Sequence, residues 1–170
     1  MSQGSSTLAY RRDGITAFHP VTLIATCFGV GLLPKAPGTW GSLVALPLGW
    51  ALATAGGGRL VLVAAIICFV VGWWAAREYI GRTGVEDPSE VVIDEVAGQW
   101  LVLAAAPLDP VAYGVAFILF RLFDIWKPGP IGQADRSFGG GMGVMLDDML
   151  AGLFAMAGLV LFLHLRPLLG

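Results

Sequence analysis

Long apolar runs, separated by short turn-rich or charged segments, dominate the pattern of hydrophobic and polar positions along this chain. Several runs are shorter than the roughly 20 residues that a perpendicular membrane crossing needs, so flanking residues must contribute to each crossing. The pattern predicts an all-α fold, a polytopic membrane helical bundle with about five transmembrane helices. The predicted crossings are 43–55, 60–76, 96–106, 111–126 and 149–165.

The apolar run at 21–33 is shorter than a full crossing and is bracketed by Pro20 and Pro34. Runs of this length more often form interfacial, re-entrant or core helices. We therefore predict a short N-terminal helix that lies in, or dips into, one membrane interface. Residues 1–18 are predicted to be a flexible tail, and residues 1–170 a single membrane-embedded domain.

The composition favours a membrane protein over a soluble one. Hydrophobic residues make up 56% of the 170 residues and charged residues only 13%, whereas soluble domains average roughly 25% charged residues. The net charge of −2, without a basic stripe, argues against a nucleic-acid partner. Cys27 and Cys68 lie in apolar runs without a metal-binding spacing, so we interpret them as inert thiols.

The distribution of basic residues predicts the orientation of the bundle. With the five crossings above, all of the ten Lys and Arg residues fall on one face except Arg59 and Arg166. Cytoplasmic loops carry the excess of Lys and Arg, so the crowded face is predicted to be cytoplasmic. All acids except Asp109 fall on this same face, which therefore carries the polar chemistry.

Two acidic pairs stand at the starts of predicted helices, Asp94–Glu95 and Asp147–Asp148. The helix dipole favours an acid near a helix N-terminus, so capping explains one acid of each pair. The second acid adds repulsion that a cap does not need, and Asp124 lies near a predicted C-terminus, where the dipole disfavours it. The segment 121–148 holds seven charges in all: Arg121, Asp124, Lys127, Asp135, Arg136, Asp147 and Asp148.

Carboxylates held together near lipid need a cation to neutralise them. Oxygen ligands, without a suitable cluster of Cys or His, indicate Mg²⁺ as that cation. We predict a Mg²⁺ site in which Glu95, Asp147 and Asp148 carry most of the metal affinity. Asp94 and Asp124 are predicted to be further ligands or groups that orient water.

Basic residues surround the predicted metal site. Arg121, Asp124 and Lys127 are spaced three apart and share one face of a helix. They form either an interfacial salt bridge between Arg121 and Asp124, with Lys127 extended to water, or a phosphate clamp beside the metal, to which Lys35 and Arg136 contribute. The predicted substrate-binding residues are Lys35, Thr39, Arg121, Lys127 and Arg136, with Thr39 as either a hydroxyl contact or a cap.

Three connecting segments complete the prediction. Ser42, in the turn-rich stretch PKAPGTWGS, is interpreted as the cap of the helix that follows. Residues 77–92 are predicted to be a polar loop. The glycine-rich stretch 139–143 either turns its N–H groups toward phosphate or forms a plain flexible turn.

The sequence has no Cys-x5-Arg nucleophile and no Asp-x-Asp motif. The simplest remaining chemistry for a metal site beside a phosphate clamp is metal-assisted attack by water, although an aspartyl-phosphate on Asp94 or Asp124 stays open. The predicted catalytic residues are Asp94, Asp124, Lys127 and Arg136. Two other hypotheses stay open: a small cation transporter with the carboxylates as its ion path, and a scaffold that binds anionic lipid. Transporters usually place such acids near the bilayer midplane, whereas these acids lie at helix ends.

Four segments together resemble the phosphatidylglycerophosphatase A family: PGTWGSLVALPL, VVIDEVAGQW, FRLFDIWKPGPIGQADR and GGGMGVMLDDMLAG. They occur in the order and spacing of that family, and the resemblance runs from about residue 21 to the end. It implies a Mg²⁺-dependent phosphatase of bacterial inner membranes. The implied substrate is phosphatidylglycerophosphate, whose terminal phosphate is removed to give phosphatidylglycerol and inorganic phosphate.

Overall fold

A computed structural model describes residues 15–129, 131–133 and 138–169, without the side chain of the last of these. This part of the chain is helical and contains no β-strand, which confirms the predicted all-α class. The elements are α1 (Pro20–Ala25), a 3-10 helix (Val30–Leu32), α2 (Pro37–Thr83), α3 (Ile93–Leu103), α4 (Pro110–Trp126) and α5 (Gly140–Leu169).

The long helix α2 consists of two helices joined at a break. Gly56 and Gly57 have non-helical backbone angles, with a φ of 67° at Gly57, a conformation that glycine adopts without a Cβ penalty. The two halves run in opposite directions along α3 and therefore form a hairpin, in agreement with the predicted turn after residue 55. Contacts with α3 pair Gly38 with Glu95 and Gly49 with Leu103 in the first half, and Gly58 with Ala104 and Cys68 with Ile93 in the second.

Helix α3 lies at the centre of the bundle, and eight of its eleven residues are buried. Its neighbours approach closely because Gly98 presents no side chain. A Cβ atom at Gly98 would lie 2.6 Å from the ring of Phe120 on α4 and 2.7 Å from the carbonyl oxygen of Asp148 on α5. This approach brings the acidic pairs of α3 and α5 to the same level of the bundle.

The N-terminal region packs against the second half of α2. The segment 21–33, predicted to form one short helix, instead contributes to two shorter elements, the six-residue α1 and the three-residue 3-10 helix. Ile15 is only 3% exposed and belongs to an apolar cluster with Val21 and Tyr79. The chain is therefore already packed at Ile15, and residues 1–14 of the predicted tail lie outside the described residues.

The predicted polar loop at 77–92 is shorter than expected, because α2 continues to Thr83. Glu78 and Arg82, one helical turn apart, form an ion pair at 3.6 Å that supports this last part of the helix. Gly84, with a φ of 68°, then ends α2 in the left-handed conformation typical of a helix C-terminus.

The glycine-rich stretch 139–143 is also largely helical, because α5 begins at Gly140. A Cβ atom at Gly141 would lie 2.5 Å from the main-chain nitrogen of Arg77, so this glycine permits close contact between α5 and α2. Asp147 and Asp148 therefore lie two turns inside α5 rather than at its start. The helix dipole acts mainly within the first turn, so capping does not explain this acidic pair.

Two helices, α2 and α5, are long and apolar enough to cross a bilayer by length and composition. Large apolar side chains also cover much of the outer surface, among them Ile67, Val70, Ile118, Ile125 and Leu161. Extended apolar surfaces of this kind are unusual on soluble monomers and mark contact with a membrane or a partner. The fold thus supports association with a membrane.

Candidate active site

A cavity of about 740 Å³ lies at the end of the bundle where α2 and α3 begin and α4 ends. All five acids predicted as metal ligands line this cavity, together with two of the predicted cations. These residues are Asp94, Glu95, Asp124, Asp147 and Asp148, and Arg121 and Lys127. The charges that are scattered along the sequence therefore meet in one place.

Three of the acids form the centre of the site. Asp94, Glu95 and Asp148 each offer a carboxylate oxygen, and these three oxygens lie within 4.8 Å of one another. Asp94 and Glu95 occupy the first turn of α3, where Asp94 Oδ1 accepts a hydrogen bond from the Glu95 N–H at 2.9 Å. Asp148 reaches them from α5 and is only 3% exposed.

The donor atoms of this trio fit a hard divalent cation. Buried carboxylates that face one another lose hydration and repel, so the trio is unfavourable without a counter-charge. Glu95 Oε2 and Asp148 Oδ2 are buried and have no hydrogen-bond partner, so both remain able to bind a cation. An all-oxygen set of carboxylates is the ligand chemistry that Mg²⁺ prefers.

The other two acids are each held by a base. Arg121 Nη1 lies 2.7 Å from Asp124 Oδ2, and Lys127 Nζ lies 2.5 Å from Asp147 Oδ2. Asp124 is also close enough to Glu95 and Asp148 for their charges to repel. Asp124 and Asp147 therefore border the trio while their charge is offset by a partner, and their role as metal ligands stays a prediction.

Arg121 connects three helices at the wall of the cavity. Besides Asp124 on its own helix α4, its Nη1 lies 4.0 Å from Glu95 Oε1 on α3 and donates to Ser42 Oγ on α2 at 3.4 Å. The prediction that Ser42 caps a helix is wrong, because α2 begins at Pro37 and Ser42 lies inside it. Its hydroxyl instead donates to the Gly38 carbonyl at 3.0 Å and supports Arg121.

Lys127 reaches the site because α4 ends at this residue. Lys127 adopts the left-handed conformation, with a φ of 45°, and its N–H donates to the Phe123 carbonyl. Pro128 cannot continue the helix, and the Lys127 side chain contacts Asp147, with Nζ 2.5 Å from Asp147 Oδ2. The alternative in which Lys127 only extends to water is therefore not what the structure shows.

Gly38 is a residue of the site that the sequence analysis missed. A Cβ atom at this position would lie 1.9 Å from Glu95 Oε1 and 3.4 Å from Arg121 Nη1, so only glycine leaves room for the carboxylate. The first turn of α2 thus presses against the carboxylate of Glu95. The Pro37-Gly38 pair, predicted only as part of a turn, is the sequence feature that marks this contact.

The two other described residues predicted to bind substrate are not found at the wall of the cavity. Lys35 is exposed just before α2, and Thr39 is half-buried in the first turn. Neither is among the described residues that line the cavity, so their contact with substrate stays a prediction. Arg136 lies outside the described residues, as does Asp135.

The comparison with known proteins agrees with the geometry of this site. The profile of the family described as phosphatidylglycerophosphatase A matches residues 23–163. A relative of that name from Haemophilus influenzae is 41% identical over 142 residues, which cover 83% of this chain and 87% of the relative. The Escherichia coli protein of the same name is 39% identical over 152 residues, covering 88% and 87%.

A third relative, from Bacteroides thetaiotaomicron, is 42% identical over 146 residues, covering 82% of this chain and 90% of the relative. Its name proposes, rather than asserts, phosphatidylinositol-3-phosphatase activity. No solved structure matches the chain. With a family match over most of its length and relatives at this level of identity, the chain belongs to the phosphatidylglycerophosphatase A family.

Proposed function

We propose that this protein is a phosphatidylglycerophosphatase, which hydrolyses the terminal phosphate of phosphatidylglycerophosphate to give phosphatidylglycerol and inorganic phosphate. Family membership and the names of two relatives support this activity. The observation that carries it is the trio of Asp94, Glu95 and Asp148, two of them buried and Glu95 partly buried, in a cavity that Arg121 and Lys127 also line. The alternative hypothesis of a cation transporter gains no support from the family or from these relatives.

Mg²⁺ is the proposed cofactor, held by Asp94, Glu95 and Asp148, with Asp124 and Asp147 beside them. When bound, it supplies charge neutralisation and Lewis acidity to the phosphoryl group. Two of the trio's oxygens are buried without a hydrogen-bond partner, which supports this assignment.

The chain's own residues carry the other parts of the mechanism. Lys127 is proposed to hold the phosphoryl oxygens, aided by Arg136, because a cation that faces the cavity stabilises charge that develops on them. Arg121 holds Asp124 in place at 2.7 Å, and Asp124 is proposed to orient the attacking water. Glu95 packs directly against Gly38, where an added Cβ atom would lie 1.9 Å from Glu95 Oε1.

We also propose that the bundle makes five membrane crossings, with the cavity facing the cytoplasm of a bacterial cell. The break at Gly56–Gly57 divides α2 into two crossings, and α3, α4 and α5 provide the rest. The excess of Lys and Arg on the cavity side supports the orientation. A cysteine at position 133 (Gln133→Cys, in a background without Cys27 and Cys68) should resist labelling from outside intact cells, whereas Thr54→Cys near the break should label. Strong labelling at 133 would refute this orientation.

A second candidate substrate follows from the Bacteroides relative, whose name concerns a phosphoinositide. The chemistry shared by the two substrates is a phosphate monoester on the headgroup of a glycerophospholipid. The carboxylates and cations of the cavity act on that monoester in either case, so the headgroup itself distinguishes the two functions.

One assay tests these proposals together. Purified protein in detergent with Mg²⁺ should release phosphate from phosphatidylglycerophosphate, lose this activity in EDTA and regain it when Mg²⁺ is restored. Phosphatidylinositol 3-phosphate serves as the parallel substrate. Release from the inositol lipid alone would favour the second function, and full turnover in metal-free buffer would rule out the metal-assisted mechanism.

A further inference from the structure

We propose that the acyl chains of the substrate lie in an apolar groove on the outer face of α4, directly behind the wall of the carboxylate cavity. The inference rests on the proposed lipid phosphatase function and adds the surface that holds the tails of the lipid. Apart from Arg121, it concerns residues that take no part in the chemistry of the site.

The groove has a volume of about 340 Å³, and five of its six lining residues are apolar. The lining residues are Phe117, Ile118, Arg121, Leu122, Ile125 and Trp126. Their spacing of one, three and four residues places them on one face of α4. Ile118, Ile125 and Trp126 are 64%, 71% and 70% exposed, so this face is open to the surroundings.

Arg121 connects the groove to the cavity because it lines both. The apolar groove and the carboxylate site are thus separated by one side chain. Arg121 Nε is buried and has no hydrogen-bond partner, while Nη1 is held by Asp124. A guanidinium at the boundary between an apolar surface and a polar cavity suits the phosphodiester of a lipid.

The order of these surfaces matches the order of groups in the substrate. The lipid has two acyl chains, then an internal phosphodiester, then a terminal phosphate. The protein presents the apolar face of α4, then Arg121, then the acidic cavity, with Lys127 next to Trp126 in the chain and on the cavity wall. This charge pattern favours an anionic glycerophospholipid over a neutral lipid or a second copy of the chain.

Exposure alone does not distinguish this face from the rest of the surface. Ile67 and Val70 on α2 are 58% and 54% exposed, yet they line neither the groove nor the cavity. Position 67 therefore offers a matched control for a substitution on α4.

The experiment compares short-chain substrates that stay monomeric, dihexanoyl and dioctanoyl phosphatidylglycerophosphate. If the chains bind in the groove, wild-type kcat/KM should be at least about 10-fold higher for the dioctanoyl lipid, because added methylene groups are buried. Leu122→Trp fills the groove and should bring the ratio of the two values close to one, while a melting temperature equal to that of the wild type shows that the variant folds. Ile67→Trp should leave the ratio at its wild-type value.

A wild-type ratio near one would overturn the proposal, as would an unchanged ratio in Leu122→Trp. Equal loss of the ratio in both tryptophan variants would show a general lipid contact instead. A wild-type dimer that Leu122→Trp dissociates, with an unchanged ratio, would assign the face to a second copy of the chain. Failure of the wild-type protein to release phosphate from either lipid would reject the proposed function itself, which separates the two conclusions.

Discussion

The two ends of the bundle use charge in opposite ways. At the cavity end, acids from α3, α4 and α5 meet in a buried cluster. At the other end, Asp109 caps α4, accepts a hydrogen bond from the Val111 N–H at 3.0 Å and pairs with Arg166 of α5. That pair is partly exposed, with its charges matched one to one.

The Asp109–Arg166 pair stabilises the fold, whereas the acids of the cavity outnumber their bases and do not. The hydrogen bond from Arg166 lowers the pKa of Asp109, so its ionised form is stabilised in the folded protein. Among the described residues that line the cavity, seven acids face two bases, so the acids exceed the bases by five when all are ionised. Burying surplus charge destabilises a fold, and this cost supports the proposal that a cation binds at this end.

The largest expected effect comes from Asp148→Asn, which removes one member of the trio. We expect kcat to fall about 1000-fold, because loss of a metal ligand removes several kcal/mol of charge stabilisation, and more Mg²⁺ to be needed. The melting temperature in EDTA should rise, because one repelling charge is gone, while the further rise caused by Mg²⁺ should shrink. Calorimetry with and without Mg²⁺ measures both changes, and an unaltered Mg²⁺ effect would contradict the assignment.

The control for that variant is Lys127→Ala, which removes a cation and leaves the trio intact. A lost contact with phosphate of about 1.5–3 kcal/mol should raise KM or lower kcat. The Mg²⁺ dependence should change much less than in Asp148→Asn. Equal shifts in Mg²⁺ dependence for two folded variants would show that the roles of acids and bases are not separate.

A smaller but still large effect is expected from Gly38→Ala. The added methyl group would overlap Glu95 Oε1 at 1.9 Å and must displace that carboxylate. Displacement of a catalytic group by about 1 Å can cost roughly 100-fold in rate, so we expect a loss of this size in kcat. Gly81→Ala is the matched control on the same helix, because no atom lies within 4 Å of its Cβ position. Equal activity of the two variants would show that Glu95 does not need its present position.

The smallest effect is expected at the opposite end, from Asp109→Asn. Phosphatase activity should stay at the wild-type level, because the pair is remote from the cavity. The pKa of Asp109 is lower in the folded protein, so its contribution to stability is present above the unfolded pKa and is lost as pH falls through the folded pKa. The difference in Tm between variant and wild type should therefore be present at neutral pH and vanish in strong acid. A loss of activity like that of Asp148→Asn would remove the contrast between the two ends.

The helices of this bundle could be predicted from the sequence because apolar runs are long and charges interrupt them. The same sparsity of charge made the acids conspicuous, and the five acids predicted as metal ligands all line one cavity. The predicted starts of α2 and α5 were too late, because they were placed where the apolar runs begin, at residues 43 and 149. The glycine-containing segments just before these runs are also helical. In a sequence, a glycine suggests a turn, whereas in this structure Gly141 lies within a helix and permits close contact between α5 and α2.

The division of the acids into a convergent trio and two paired residues could not be predicted. It depends on how closely α3, α4 and α5 approach, which the absence of a side chain at Gly98 determines. The contact between Gly38 and Glu95 joins residues far apart in sequence, and no local pattern indicates it. Sequence reasoning therefore identified the charged groups and the Arg121–Asp124 pair, whose members are three residues apart on α4. The pairing of Lys127 with Asp147 became clear only from the packing.

The shortness of α3 has a consequence for how this protein is made. Its 11 residues span about 16 Å at 1.5 Å per residue, roughly half of the hydrocarbon layer. A segment this short, with two acids in its first turn, is a poor substrate for independent recognition by the insertion machinery. In the proposed topology, α3 and α4 must enter the bilayer together as a helical hairpin, guided by the glycine contacts of α2. Insertion of this hairpin then brings Asp94, Glu95 and Asp124 into the bundle together, so a defect in helix packing also appears as a defect in membrane insertion.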